Sequence, residues 1–128
     1  MTQRPRLLII DDDADFRKLL IHQLRRTFFV VDAKDGCEGY SRAISSPPDA
    51  VILDLHMDGW NGIDTLRRFR SQLRLENTPV IVLTSDNHRN TVLQAIQSGA
   101  NDFLLKTTLD ASELTGRIIN LLPKTGSV

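Results

Sequence analysis

The sequence predicts an α/β fold in which five parallel strands alternate with helices. Short, nearly continuous apolar runs, rich in β-branched residues, recur along the 128-residue chain, as expected of strands that are buried on both faces of a sheet. The segments between these runs carry apolar residues at helical spacing. Strict alternation of strand and helix predicts a parallel sheet with right-handed crossovers and helices on both faces, which makes a three-layer sandwich.

The strands are defined by their apolar runs and by the turn residues that precede them. Prolines and an aspartate at 47–49 come before the third strand, and the sequence Asn-Thr-Pro at 77–79 opens the fourth. The loop at 58–62, Asp-Gly-Trp-Asn-Gly, follows the third strand. The predicted strands are 6–10, 29–33, 50–53, 79–83 and 102–105.

Apolar stripes predict the helices between the strands. Asp13 is well placed to cap the first helix, Gly99 to end the fourth, and Asp110 or Ser112 to begin the last. Residues 36–45 carry the least regular helical pattern, and Gly39 within them costs about 1 kcal/mol relative to alanine. The stripes of the other four helices are Phe16, Leu19, Leu20 and Leu24; Ile63, Leu66, Phe69 and Leu73; Val92, Ala95 and Ile96; and Leu114, Ile118 and Leu121.

Length and composition predict one globular domain, which we place at residues 1–123, with 124–128 as a frayed tail or the start of a linker. Sixteen basic residues balance sixteen acidic ones, so the net charge gives no reason to expect binding to nucleic acid or to an anionic membrane. The single cysteine excludes an intrachain disulfide. No signal peptide or membrane-length apolar run is present, so we expect a cytoplasmic protein.

Polar side chains follow four of the predicted strands, at the points where the strands end. Asp11 and Asp12 follow the first strand, Asp54 the third, Thr84 the fourth and Lys106 the fifth. The carboxyl ends of parallel strands meet at one edge of the sheet, where open α/β sheets bind ligands. Clustered carboxylates repel one another and need a cation, for which Mg²⁺ is the best fit. A carboxylate on a central strand, Asp54, is also a candidate nucleophile that could accept a phosphoryl group.

Four motifs in the same order and spacing resemble the receiver domain of bacterial two-component response regulators, over essentially the whole chain. They are Leu-Leu-Ile-Ile-Asp-Asp-Asp at 7–13, Pro-Asp-Ala-Val-Ile-Leu-Asp-Leu-His-Met at 48–57, Pro-Val-Ile-Val-Leu-Thr-Ser at 79–85 and Gly-Ala-Asn-Asp-Phe-Leu-Leu-Lys at 99–106. Each motif alone is common, whereas the set is specific. The resemblance implies a flavodoxin-like fold with sheet order 2-1-3-4-5.

The resemblance also implies a role for each site residue. Asp54 becomes the phosphoacceptor, Thr84 and Lys106 contact the phosphoryl group, and Thr84 and Phe103 act as the switch pair. Mg²⁺ is bound by Asp11, Asp12, Asp54 and the backbone carbonyl of His56. The implied partners are a sensor histidine kinase or phosphotransfer protein and a downstream protein target or output domain. The fourth helix, fifth strand and fifth helix form the face through which a homodimer could assemble.

The chain departs from the family pattern at four positions. Asp58 replaces a proline, Asn61 replaces an aspartate, and Thr107 follows the lysine where the family has a proline. Phe103 stands where tyrosine is more common. His56 and Asp86 each lie two residues after a site residue, and we expect them at the rim of the site. Asp86 is expected to orient or deprotonate an attacking water and so to shorten the lifetime of an aspartyl phosphate, whereas the bulk of His56 is expected to screen that water and to lengthen it.

Two alternatives remain open at this level. A pseudo-receiver would keep the fold as an interaction module without phosphorylation, but this chain keeps the acceptor and the acidic pair. The run Asp11-Asp12-Asp13 is also similar to the Asp-x-Asp motif of haloacid-dehalogenase-type phosphohydrolases, although the chain is short for such an enzyme. The histidines share no metal-ligand spacing, and Arg67, Arg68, Arg70 and Arg74 are interpreted as the solvated face of one helix.

Overall fold

The computed structural model describes residues 3–123, in which strands and helices alternate as predicted. The predicted tail at 124–128 lies outside the described residues. None of the helices within 3–123 is both long and apolar enough to cross a membrane. The strands are β1 (Arg6–Ile10), β2 (Phe29–Ala33), β3 (Ala50–Leu53), β4 (Val80–Thr84) and β5 (Asp102–Leu105). The helices are α1 (Ala14–Leu24), α2 (Gly36–Ser45), α3 (Gly62–Ser71), α4 (Arg89–Gln97) and α5 (Ala111–Leu121), with a 3₁₀ turn at Lys106–Thr108.

All five strands form one parallel sheet in the order β2-β1-β3-β4-β5. In its central register, Leu8 of β1 pairs with Val31 of β2 on one side and with Val51 of β3 on the other. The fold class, the parallel sheet and the strand order expected from the resemblance are therefore confirmed. The order also changes direction at β1 and β3, whose carboxyl ends lie side by side, and ligands bind at such a position in open α/β sheets.

The fourth strand begins one residue later than predicted. Pro79 has no backbone N–H and lies just outside the strand, where its carbonyl accepts a hydrogen bond from Val51 at 2.9 Å. At the other end, Thr84 pairs with Leu105 and is the last residue of β4. The hydroxyl-bearing residue of the expected site therefore belongs to the rigid sheet rather than to the loop that follows it.

Alternating side chains divide the core into two layers. Leu7 and Ile9 face α1 and α5, in a cluster that includes Leu20 and Ile118. The opposite face of the sheet packs against α2, α3 and α4. Its buried residues include Leu8, Ile10, Ala43, Leu66 and Phe69, and a smaller cluster next to them includes Val82 and Ala95. Burial of both faces explains why the strands read as continuous apolar runs.

Helix caps occur where the sequence predicts them. The carboxylate of Asp13 accepts the backbone N–H of Phe16 at 3.1 Å and begins α1. Asp110, rather than Ser112, is the N-cap of α5, and it accepts the Ser112 N–H at 2.8 Å. Gly99 follows the end of α4 with φ of +110°, a conformation that favours glycine.

The interpretation of four α3-region arginines as one solvated face is wrong for Arg70. Its guanidinium is part-buried and donates to the carbonyls of Gly99 and Thr78 at 2.8 Å, and to those of Leu75 and Glu76. It also donates to Asn101 Oδ1 at 2.9 Å. The side chain thus ties the end of α3 to the segments that enter β4 and β5.

Candidate functional site

The predicted site residues gather at the carboxyl edge of the sheet because the sheet hydrogen bonds continue past the strands. The Asp54 N–H donates to the carbonyl of Ile10 at 3.0 Å, and the Asp11 N–H donates to that of Ala33 at 3.1 Å. These bonds hold both aspartates at the ends of adjacent strands. Their positions therefore depend on the central pairing of β1 with its two neighbours.

Three carboxylates meet at this edge. One oxygen from each of Asp11, Asp12 and Asp54 can be chosen so that all three lie within 4.8 Å of one another. Asp11 and Asp54 are 3% and 6% exposed, whereas Asp12 is exposed to solvent. Backbone N–H groups orient the buried pair: Asp13 donates to Asp11 Oδ1 at 2.9 Å, and His56 donates to Asp54 Oδ1 at 3.4 Å.

Lys106 brings a positive charge into this cluster. Its Nζ lies 2.7 Å from Asp11 Oδ2 and 3.3 Å from Asp54 Oδ2. The same ammonium lies 4.4 Å from the centre of the Phe16 ring, where a cation–π contact adds to its binding. No cis peptide bond occurs in the described residues, so the Lys106–Thr107 peptide is trans. With threonine in place of the usual proline, the lysine still reaches both acids.

The protonation of the site reflects burial and pairing together. Burial raises the pKa of Asp11 above its ordinary value, against the opposing effect of the hydrogen bond from Lys106. Burial alone would lower the pKa of Lys106, but its hydrogen bond to Asp11 and the negative charges of both acids outweigh that effect and raise it. The lysine is therefore an ammonium at neutral pH, and one positive charge faces three acidic groups.

The donor set suits a hard divalent cation. Carboxylate oxygens in a small group are the ligands that Mg²⁺ uses, together with waters and phosphate oxygens. Asp12 is exposed, so a cation can reach the carboxylates from solvent. His56, whose carbonyl the resemblance adds to the metal ligands, follows Asp54 by two residues in the loop after β3. The residues present thus fit Mg²⁺ by their chemistry.

Thr84 and Phe103 lie close to the cluster in the fold, but no hydrogen bond joins them to the carboxylates within residues 3–123. Thr84 is 1% exposed, and its hydroxyl accepts the Asp86 N–H at 3.5 Å. Phe103 is half-buried and packs against the cluster that contains Leu55 and Val82. Thr84 is therefore a buried hydroxyl at the end of β4, and Phe103 belongs to the core.

The rim of the site contains a hydrogen-bonded group that the sequence did not reveal. His56 Nε2 lies 2.6 Å from Asp86 Oδ2, and His88 Nδ1 lies 2.7 Å from Asp86 Oδ1. Thr91 Oγ1 donates to the same carboxylate at 3.0 Å. The backbone N–H of His88, followed by both histidine side chains, lowers the pKa of Asp86 well below its usual range. We call His56, Asp86 and His88 the rim triad, and it joins the loop after β3 to the loop after β4.

A local signal for part of the rim triad was present in the chain. Asp86 accepts the N–H of His88 two residues later at 2.9 Å, which is the hydrogen bond that aspartate commonly makes in turns. The contact between His56 and Asp86 spans thirty residues and has no counterpart in local spacing. The aspartate and its spacing could therefore have indicated the turn, but not the contact between the two loops.

In the loop before α3, the asparagine that replaces the family's aspartate begins the helix. Asn61 stands in place of the family's aspartate and is the N-cap of α3, where its Oδ1 accepts the Asp64 N–H at 2.9 Å. Asparagine caps helices as well as aspartate does, so the helix start is retained.

In the same loop, the Trp60 ring packs between two side chains. Its centre lies 5.7 Å from the centre of the Tyr40 ring and 4.2 Å from Cζ of the Arg68 guanidinium.

Comparison with known proteins gives the same result at the level of the family. A family model described as the response regulator receiver domain matches residues 7–119. The chain is 34% identical over 125 residues to the DNA-binding dual master transcriptional regulator RpaA of Synechocystis sp., which covers 97% of this chain and 52% of that protein. It is 28% identical to Hybrid signal transduction histidine kinase D of Dictyostelium discoideum, over 93% of this chain and 8% of that protein.

A solved structure is similar over nearly its full length. The signal receiver domain of a signal transduction histidine kinase from Syntrophus aciditrophicus matches with a TM-score of 0.85 and 26% identity, covering 97% of this chain and 96% of that one. The chain spans about half the length of the transcriptional regulator it matches and a small part of the kinase. Fold, strand order, the acidic edge and the family match agree, and the chain belongs to the response regulator receiver domains of two-component signalling.

Proposed function

We propose that Asp54 is the phosphoacceptor of a phosphorylation-activated signalling domain. The observation that carries this proposal is the placement of the nearly buried Asp54 carboxylate beside two further acids and 3.3 Å from the Lys106 ammonium. In the transfer, one Asp54 oxygen attacks phosphorus, the bond from phosphorus to the donor imidazole breaks, and the donor histidine leaves without its phosphoryl group. The product is an aspartyl phosphate.

Mg²⁺ would be held by Asp11, Asp12, Asp54 and the backbone carbonyl of His56. When bound, the metal ion neutralises negative charge on the transferring phosphoryl group. Asp11 and Asp12 carry the charge that attracts the cation, and the N–H of Asp13 keeps Asp11 oriented toward the cluster. Without a cation, the carboxylates repel an incoming phosphoryl donor.

Lys106 and Thr84 would bind the oxygens of the phosphoryl group after transfer. For this the lysine exchanges part of its ion pairing with Asp11 for a charge-assisted hydrogen bond to phosphate. Thr84 would turn its hydroxyl away from the Asp86 N–H, and Phe103 would move into the space released. Such a change shifts an existing equilibrium between two packings, and it alters the face formed by α4, β5 and α5.

The partners follow from this chemistry. A histidine kinase or a phosphotransfer protein would donate the phosphoryl group, and a downstream protein or an output domain would read the altered face, through which a homodimer could also form. The receiver unit would comprise residues 1–123 and act in the cytoplasm. It would support its own phosphorylation and dephosphorylation without turning over a separate substrate.

The site favours this proposal over the two alternatives. A pseudo-receiver has no need for three converging carboxylates with a lysine among them. For a dehalogenase-type phosphohydrolase, Asp13 would have to serve as acid and base, yet its carboxylate caps α1 by accepting the Phe16 N–H. Turnover of a small phosphomonoester would support the phosphohydrolase, and its absence is expected.

The test is phosphorylation by acetyl phosphate, in which the phosphoryl group passes to Asp54 and acetate leaves. We expect one phosphoryl group per chain by intact mass, labile to hydroxylamine, and no label after Mg²⁺ is removed with a chelator. Asp54→Asn should abolish the label, whereas the control Asp64→Asn, at an exposed aspartate of α3, should keep it. Equal labelling of Asp54→Asn would overturn the assignment, and failure of the wild type with both acetyl phosphate and a kinase would indicate a pseudo-receiver.

A further inference from the structure

A cleft lies between the second half of α2 and strands β1 and β2, and it is formed by residues that the signalling site does not use. Its volume is about 350 Å³, near the lower end of the range of small-molecule sites. Leu8 and Val31, which pair in register between β1 and β2, form its apolar floor. Arg6, Arg42, Ser45 and Ser46 form its polar wall. Arg6 is the first residue of β1, and Leu8 and Val31 are the middle residues of their strands, whereas the acidic cluster follows the carboxyl ends of β1 and β3.

The guanidinium of Arg6 has two contacts within the protein, but one of its N–H donors has no hydrogen-bond partner. Its Nη2 donates to the Ser46 hydroxyl, and its Cζ lies over the Phe29 ring, 5.7 Å from the ring centre. Its Nε is buried and has no hydrogen-bond partner in the described part of the chain. Buried donors in native proteins are nearly always paired. An acceptor from outside residues 3–123 would therefore complete this side chain.

The charges around the cleft favour an anionic acceptor. Arg6 and Arg42 both line it. The nearby acids are engaged elsewhere: Asp49 accepts the backbone N–H of Arg6 at 2.7 Å, and Glu38 accepts the N–H of Lys34 at 2.9 Å. Glu38 also lies 3.9 Å from the Arg42 Nε, a distance at which an exposed pair contributes little. Arg6 and Arg42 thus make the wall of the cleft positive.

We propose that this cleft binds a small amphipathic carboxylate. Adjacent N–H groups of a guanidinium match the two oxygens of a carboxylate, so the ligand's carboxylate bonds to Arg6 and its apolar part lies on Leu8 and Val31. A purely polar anion leaves the apolar floor uncovered, and a neutral apolar molecule leaves the Arg6 Nε unpaired. Both features of the cleft therefore select for a carboxylate attached to a short apolar body, such as a medium-chain acid.

The test is a titration of the full chain with sodium octanoate, followed by the backbone amide resonances and by the Arg6 Nε–H resonance. We expect saturable shifts of the Arg6 Nε–H and of the amides of Val31 and Ser46. Octanamide, which has the chain without the charge, and acetate, which has the charge without the chain, should each bind at least about tenfold more weakly. Phosphorylation of the protein is not involved in this measurement, so its outcome is independent of the function proposed above.

Two variants locate the site. Arg6→Lys keeps the positive charge and removes the paired donors, and Ser45→Leu fills the cleft from the end of α2. Each should weaken octanoate binding at least about tenfold. Their matched controls are Arg67→Lys on an exposed part of α3 and Ser71→Leu, at the exposed last residue of that helix, and both should bind as the wild type does.

Four results would overturn the proposal. Shifts that grow without saturation, or no shift of the Arg6 Nε–H, would mean that no specific site binds the carboxylate at Arg6. Equal affinity for octanoate and octanamide would make the cleft an apolar surface without selectivity for charge. If Arg6→Lys does not fold, Ser45→Leu and the comparison of the three ligands still decide, because unchanged binding to Ser45→Leu places the carboxylate elsewhere.

Discussion

The ammonium of Lys106 makes its shorter ion pair with Asp11 and not with the proposed phosphoacceptor. Its Nζ lies 2.7 Å from Asp11 Oδ2 and 3.3 Å from Asp54 Oδ2. The lysine thus acts as an internal counter-ion at a group of oxygens that a divalent cation would also use. Mg²⁺ bound at Asp11 as proposed would be repelled by this ammonium, so the two cations would compete for Asp11.

Lys106→Met should tighten Mg²⁺ binding and slow phosphorylation. The variant keeps the apolar stem and removes the charge, so we expect Mg²⁺ affinity to rise by about three- to tenfold at low salt. The measurement is a Mg²⁺ titration by calorimetry, paired with the rate of labelling by acetyl phosphate. Lys18→Met, at an exposed lysine of α1, is the control and should change neither quantity. Weaker Mg²⁺ binding in Lys106→Met would show that the lysine assists the metal.

Arg70→Met should destabilise the fold. The substitution retains much of the apolar stem but removes a donor from four backbone carbonyls and from Asn101 Oδ1. The Leu75 carbonyl and Asn101 Oδ1 keep a second donor, whereas the other three carbonyls lose the guanidinium. We expect the free energy of unfolding to fall by about 2–4 kcal/mol, measured by urea denaturation. Arg67→Met, at an exposed arginine of the same helix, should stay within about 0.5 kcal/mol of the wild type. Similar losses in both variants would contradict the role given to Arg70.

Substitution by alanine at two helical glycines should change the free energy of unfolding in opposite directions. In α5, a Cβ at Gly116 would meet nothing within 4 Å, so Gly116→Ala should raise the free energy of unfolding by about 0.5–1 kcal/mol. In α2, a Cβ at Gly39 would lie 2.4 Å from Ile10 Cδ1, so Gly39→Ala should lower stability by about 1–3 kcal/mol. Urea midpoints of the two variants check this, and stabilisation by Gly39→Ala would show that Ile10 can move aside.

The rim triad changes what we expect of the aspartyl phosphate. The sequence predicts that Asp86 shortens the lifetime of the aspartyl phosphate and that His56 lengthens it. In the structure, however, the two side chains are hydrogen-bonded to each other at 2.6 Å. Asp86 is thereby occupied and is a poor base for water, and loss of either partner opens the same rim. We therefore expect His56→Ala and Asp86→Ala each to shorten the lifetime of the phosphorylated state by about two- to fivefold, and the double variant to add little more.

Decay of the labelled protein after rapid removal of the donor measures these lifetimes. Glu113→Ala, at an exposed position of α5, serves as the control. A longer lifetime for Asp86→Ala alone would restore the role of Asp86 as a base. Fully multiplicative effects in the double variant would show that the hydrogen bond between the two side chains does not persist in the phosphorylated protein.

Most of the fold could be predicted because its signals are local. Four of the five strands have the predicted bounds, since burial on both faces makes the runs continuously apolar. The fourth strand begins and ends one residue later than predicted, because Pro79 supplies a carbonyl but no N–H to the sheet. Residues 36–45 form a regular helix in spite of Gly39, because close packing on Ile10 requires the residue that propensity disfavours.

The site was predictable as far as strand ends determine it, and no further. The meeting of Asp11, Asp54 and Lys106 follows from parallel strands with a known order. In contrast, nothing in the spacing distinguishes Arg70, which is part-buried, from Arg67, which is exposed, because their roles depend on which loops pass the end of α3. The pairing of His56 with Asp86 likewise depends on the distance between two loops, which periodicity does not encode.

The order of the strands in the sheet has a consequence for synthesis of the chain on the ribosome. Pairing of β1 with β3 brings Asp11 and Asp54 together, but Lys106 follows Asp54 by 52 residues. An emerging chain can therefore assemble the acidic edge well before its counter-charge leaves the exit tunnel. During that interval the repulsion between the carboxylates opposes pairing of the central strands, and Mg²⁺ bound as proposed above would relieve it. We expect nascent chains that lack β5 to hold this pairing only when magnesium is supplied.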